Sequence, residues 1–134
     1  MFAITGLYAA LLIVLMMVLG GMVSAGRAKN AIALGDGGLP GMTERIRRHA
    51  NLAENLPMAI ILMGICEAQG AGSTWLHGMG LVLLVSRLLH PFGIKHDDPK
   101  NLLRAAAATG TAVTLLMGIG YILWKAFSAS AGAA

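Results

Sequence analysis

From Phe2 to Gly26 the chain runs for 25 consecutive positions without a charged side chain. Wound as an α-helix at about 1.5 Å per residue, such a run crosses the ~30 Å hydrocarbon core of a bilayer. Backbone groups inside lipid must find their hydrogen bonds within the protein, so a helix is the structure a lone apolar run can adopt there. This segment commits the chain to the membrane, and the remainder agrees: 57% of the 134 residues are hydrophobic, 12% are charged, and mean hydropathy is +0.73. No basic segment precedes the run, and it is too long for the apolar core of a secretory leader, so it is expected to be a retained helix. The single cysteine, Cys66, has no partner for an intrachain disulfide and is expected to pack in the interior.

Three further helical segments follow. Gly35-Asp36-Gly37-Gly38 and Pro40-Gly41 are turn signals, placing a loop over Asn30 to Met42. Thr43 then offers an N-cap for a second helix that reaches about Gln69, with Pro57 inside it freeing the carbonyl of Ala53. Gly70 to Ser73 turns the chain into a third helix, with Ser73 or Thr74 as its cap, ending near His90 because Pro91 and Gly93 follow. A fourth helix begins near Lys100, carries the charge-free stretch Ala105 to Trp124, and gives way to a small-residue tail over Ser128 to Ala134 that is expected to fray. The expected fold is an all-α integral membrane four-helix bundle in one domain, 1–134, with helices at about 2–26, 43–69, 74–90 and 100–126.

Lysine and arginine are distributed unevenly among the loops. The first loop and its flanks hold Arg27, Lys29, Arg45, Arg47 and Arg48, and the third holds Arg87, Lys95, Lys100 and Arg104, whereas the second holds none. Cationic residues stay on the cytoplasmic side, so loops one and three are expected in the cytoplasm and both termini outside it. Basic residues confined to short segments between apolar runs also argue against a nucleic-acid surface. Arg27, Arg47, Arg48, Arg87, His90 and Arg104 then gather at one rim of the bundle.

One polar stretch enters the second helix at this rim. At about 100° per residue, Arg47, Asn51 and Glu54 share a narrow face, and Glu54 lies roughly 10 Å inward of Arg47. A carboxylate at that depth is costly and calls for a partner. A basic mouth above a buried carboxylate suits a ligand with carboxylates for arginine and an amine for Glu54. The competing reading of Arg47 and Glu54 is an internal ion pair between helices. Arg48 points about 100° away from Arg47 and, with Arg45, Lys29, Lys95 and Lys100, is expected to reach for lipid headgroups. No metal-ligand spacing and no nucleophile–base pair is present.

The string Arg47-x-x-x-Asn51-x-x-Glu54-Asn55-x-Pro57, with Arg87-Leu88-Leu89-His90 in the third helix and Ser24-Ala25-Gly26-Arg27 closing the first, resembles the signature of the MAPEG family, the membrane-associated proteins of eicosanoid and glutathione metabolism. The string from Glu44 to Pro57 closely resembles the bacterial and microsomal glutathione transferase versions. The resemblance implies a homotrimer of four-helix bundles, in a bacterial inner membrane, with glutathione bound between subunits near the cytoplasmic side. It implies that Arg47, Asn51, Glu54 and Asn55 hold the glutathione backbone, that Arg87 and His90 line the site, and that Arg27 comes from a neighbouring subunit. Arg104 matches the arginine that stabilises the thiolate, as the catalytic residue of a glutathione S-transferase or glutathione-dependent peroxidase acting on a lipophilic electrophile. No metal is implied.

The sequence departs from that pattern at two places. Ile94 stands where several relatives have tyrosine four residues after the position of His90, and Asn55 stands where some have tyrosine. Two alternatives therefore stay open: a non-catalytic member that binds lipid or another ligand, and a small membrane transporter or channel with Glu54 as an intramembrane ion site. Polar residues clustered at one rim, with none lining a path across, argue against the second.

Overall fold

The computed structural model describes residues 2–131 and consists of four helices: α1 (Ala3–Lys29), α2 (Pro40–Ala68), α3 (Ser73–Gly93) and α4 (Leu102–Ala131). They run up and down. Every pair of helices packs together except α1 and α4, so α2 and α3 form the short diagonal and α1 and α4 flank them. The interior is aliphatic and sulfur-rich, with Leu12, Met63, Cys66, Leu76, Met79 and Leu83 buried around Thr114. The outer surface carries Val14, Met17, Ile61, Leu81, Leu116 and Phe127 exposed. In water these would form an unfavourable apolar patch; in a bilayer they are the solvent-facing surface. α1 and α4 are each long and apolar enough to cross a membrane by length and composition alone. α2 and α3 are the more polar helices, and their charged groups, Glu67 of α2 apart, collect at one end.

Several boundaries differ from the sequence expectation, three of them for a clear local reason. α2 begins at Pro40 rather than after Thr43. Proline at the first helical position brings a preset φ and a missing N–H that no helical carbonyl needs. Thr43 is therefore inside the first turn, and its hydroxyl donates to Asp36 Oδ2 at 2.6 Å instead of capping. α1 continues to Lys29, where the Asn30 side chain donates to the Gly26 carbonyl at 2.8 Å. α3 passes through Pro91 to Gly93. Pro91 has no N–H to give the Arg87 carbonyl, so the helix loses that bond and ends two residues later. At Gly93 a Cβ would lie 2.5 Å from the Arg104 backbone nitrogen, so the end of α3 meets the start of α4 only without a side chain. α2 runs on through Pro57, and α3 starts after Gly72 with Ser73 already helical. α4 extends to Ala131 over part of the expected tail; residues 132–134 lie outside the described residues.

The two ends of the bundle are tied differently. At the end bearing the short second loop, both Glu67 oxygens accept from the first N–H groups of α1, Ile4 at 3.1 Å and Thr5 at 2.8 Å. The Tyr8 hydroxyl meets His77 Nδ1 at 3.1 Å there. At the opposite end, α2, the third loop and the start of α4 surround a polar cavity.

Candidate functional site

That cavity, of about 160 Å³, is lined by Thr43, Glu44, Arg47 and Asn51 of α2, by Ile94, Lys95 and His96 of the third loop, and by Arg104 of α4. α2 supplies its wall because these positions share one side of the helix. At about 100° per residue, Thr43, Arg47, Asn51, Glu44 and Arg48 fall within a roughly 140° arc. Arg104 is held in the first turn of α4 by Asn101, whose Oδ1 accepts the Arg104 N–H at 3.1 Å and whose amide donates to Asp98 at 2.7 Å.

Asn51 links the cavity to the interior. Its Oδ1 accepts from Arg87 Nη1 at 3.0 Å. A guanidinium only donates, so the Asn51 NH₂ is turned away from Arg87 and is free for an acceptor. Arg87 is 2% exposed and also donates to Thr111 Oγ1 and to the Ala107 carbonyl at 3.5 Å. Its Nε has no partner, and no carboxylate lies within ion-pair distance of it among the described residues. His90, one turn on, is also buried. Arg87 thus backs the cavity from inside the bundle through Asn51.

Glu54 differs from expectation. It pairs with Arg47 at 3.5 Å, but the two side chains are 56% and 54% exposed. The carboxylate is not buried within the protomer. Nor is the pair an internal bridge between helices, since both residues are on α2. Asn55 donates back to the Asn51 carbonyl at 2.8 Å and does not line the cavity. Arg27 lies elsewhere, in a separate cavity between α1 and α2 with Ser24 and His49, where its Nε donates to the Gly35 carbonyl at 3.1 Å. Of the expected residues, Arg47, Asn51 and Arg104 share the cavity wall, Glu54 and Arg87 touch it through Arg47 and Asn51, and Arg27 does not reach it within one protomer.

The sequence reading missed the third-loop lining and misplaced Arg48. Arg48 Nη2 donates to Glu44 Oε2 at 2.7 Å and to the Ile94 carbonyl at 2.8 Å, binding the loop instead of headgroups. Glu44 Oε1 accepts the His96 N–H at 2.8 Å. The i, i+4 spacing of Glu44 and Arg48 was the available signal. Asp97 holds the His96 ring at 2.8 Å and raises its pKa above the ordinary imidazole value. Thr43 and the Gly38 N–H, both donating to Asp36, hold that carboxyl below the ordinary carboxylate range.

A four-helix bundle with an apolar outer surface and a cationic cavity at one end defines a polytopic membrane protein with a polar cavity at its rim. Residues 5–124 match the MAPEG family, and the chain belongs to that family. It is similar to the "Inner membrane protein YecN" of Escherichia coli K12, 34% identical over 124 residues that cover 91% of this chain and 95% of the relative. The protein of the same name from Escherichia coli O6:H1 gives the same figures. No solved structure matches the chain.

Proposed function

We propose that the protein binds glutathione at the cavity between α2, the third loop and α4, and uses it as a glutathione S-transferase or glutathione-dependent peroxidase on lipophilic electrophiles. The observation that carries this reading is the convergence of Arg47, Asn51 and Arg104 on one cavity wall, with the Glu54 carboxylate 3.5 Å from Arg47. Arg47 and the free Asn51 amide suit the γ-glutamyl carboxylate, and Glu54 suits the neighbouring ammonium. Arg104 suits the sulfur. A thiol of pKa about 8.5 is mostly protonated at neutral pH, and a close guanidinium favours the thiolate. The thiolate then forms a C–S bond to an electrophile dissolved in the bilayer, displacing its leaving group; with a hydroperoxide it takes the terminal oxygen as the O–O bond breaks, releasing the alcohol and leaving a sulfenic acid, from which a second glutathione displaces water to form the disulfide.

The half-exposed Arg47–Glu54 face and the distance of Arg27 from the cavity support a homotrimer in which a neighbouring subunit closes the site and brings its Arg27. The basic rim and the name of the bacterial relative support an inner-membrane location with loops one and three in the cytoplasm and both termini outside.

The test is calorimetry with glutathione on detergent-solubilised protein. Losing one charge-assisted hydrogen bond costs about 1.5–3 kcal/mol, so Arg47→Ala and Glu54→Gln should each weaken binding roughly ten- to hundredfold. Unchanged affinity in both variants removes the site. For the chemistry, adding glutathione should raise a thiolate absorbance near neutral pH that Arg104→Ala abolishes. Ile94, buried at the cavity where relatives carry a phenol, favours one second reading, a non-catalytic ligand-binding member. Binding without a thiolate signal would select it.

A further inference from the structure

The third loop is built into the cavity wall by hydrogen bonds that nothing in the helical packing requires. Arg48 reaches from α2 to the Ile94 carbonyl with two nitrogens, Nη2 at 2.8 Å and Nε at 3.3 Å. Glu44 accepts from the backbone of His96 and from Arg48. These bonds hold Ile94, Lys95 and His96 opposite Arg47 and Asn51. They also use up charge selectively. Glu44 is the one carboxylate lining the cavity among the described residues, and both its oxygens are engaged. Arg48 is neutralised by Glu44, and the His96 ring by Asp97 at 2.8 Å. Lys95 has no such partner: no salt bridge or side-chain hydrogen bond engages it among the described residues. The cavity thus has two cationic arms on different elements, Arg47 with the Asn51 amide on α2 and Lys95 on the loop, with Arg104 on α4 as a third wall.

We infer that Lys95, positioned by Glu44 and Arg48, is a second carboxylate-binding arm that makes the site selective for ligands carrying two separated carboxylates. The inference rests on the glutathione reading and deepens it. With the γ-glutamyl carboxylate on Arg47 and Asn51, the C-terminal glycine carboxylate goes to Lys95, and the thiol between them faces the α4 wall. An ammonium facing a carboxylate gains most where water is partly excluded and the partner is already held in place. Glu44 and Arg48 supply that placement and are positioning residues, not ligand contacts.

Two ligands separate this arm from the rest of the site: glutathione and its glycine monoethyl ester, which lacks only the C-terminal charge. Both are titrated calorimetrically into intact solubilised protein. The wild type should bind the ester about tenfold more weakly, the equivalent of roughly 1.4 kcal/mol. Lys95→Gln should bind glutathione as weakly as the wild type binds the ester, with discrimination gone, and Lys95→Arg should restore it. Glu44→Ala should also lose discrimination while keeping its affinity for the ester, which a general loss of structure would not do. Equal binding of the two ligands by wild type, or full discrimination in Lys95→Gln, overturns the arm while leaving glutathione binding intact. No glutathione binding by wild type would overturn the parent reading, and the arm with it.

Discussion

Arg87 is a buried guanidinium held by dipoles alone: the Asn51 side-chain oxygen, the Thr111 hydroxyl and the Ala107 carbonyl. Taking a charge out of water without a counter-ion costs several kcal/mol, so this residue does not serve stability. Its effect on the site is to turn the Asn51 amide toward the cavity. Arg87→Met keeps the length and removes the charge. Thr111 keeps its bond to the Ala107 carbonyl at 3.1 Å, and half-buried Asn51 can reach water. The expected outcome is a stability change within about 1 kcal/mol, by thermal unfolding in detergent, together with weaker glutathione binding. A large loss of stability with unchanged affinity would assign Arg87 to the fold instead. His96 gives a prediction in pH. Asp97 raises its folded pKa, so the pair's contribution is fully present below the ordinary imidazole pKa and fades as pH rises through the elevated folded value. An NMR titration of the His96 ring should give a midpoint above the ordinary one, which Asp97→Asn returns to normal. At this scale the sequence was informative about which residues matter and poor about where they point. The shared face of Arg47, Asn51 and Glu54 was correctly read from spacing, but its outward direction was not, because periodicity defines a face without saying what covers it. Arg48 lies about 100° from Arg47 as spacing predicts, but one of its two partners, the Ile94 carbonyl, is 46 residues away on the third loop, beyond the reach of local spacing.

The helices themselves were legible because their evidence is local. Apolar length, glycine and proline punctuation and the loop charges all lie within a few residues of the features they determine, and four helices in up-and-down order are what the chain forms. Two of the ends that differ lie at Pro40 and Pro91, where a proline that signals a loop in sequence occupies a helical first or last turn. Packing between helices was not legible, because it depends on which small residues meet which large ones. Gly80 of α3 lies under the Tyr8 ring of α1, where an added Cβ would stand 2.2 Å from Tyr8 Cδ2. Tyr8 is itself buried and tied to His77, so it cannot swing aside without breaking that bond. Gly80→Ala should therefore destabilise the bundle by about 1–3 kcal/mol despite alanine's better helix propensity. Thermal unfolding checks this, and Tyr8→Leu in the same chain should recover part of the loss. A Gly80→Ala protein as stable as wild type would mean that α1 can shift along α3 at no cost.

At the scale of the molecule, the features left without function in one protomer are those an assembly would use. The Arg47–Glu54 pair stands open on the outside of α2. Arg27 sits in a different cavity on the α1 side, tethered to the Gly35 carbonyl of its own first loop. A ring of protomers packed through heterologous contacts would apply the α1 side of one subunit to the α2 face of the next, giving each site Arg47 from one chain and Arg27 from its neighbour. Such an arrangement predicts complementation. Arg27→Ala and Arg47→Ala homo-oligomers should each bind glutathione weakly, because every site lacks one arginine. Randomly co-assembled from equal amounts of the two chains, roughly a quarter of the sites should regain both arginines, because each site draws on two independently chosen subunits. Calorimetry on the co-assembled protein should therefore show a high-affinity class at about that fraction of the sites, absent when the two variants are purified separately and then mixed without exchange. If co-assembly restores nothing although both variants alone are weak, the two arginines act within one protomer. If Arg27→Ala alone binds normally, Arg27 belongs to the first loop and not to the site.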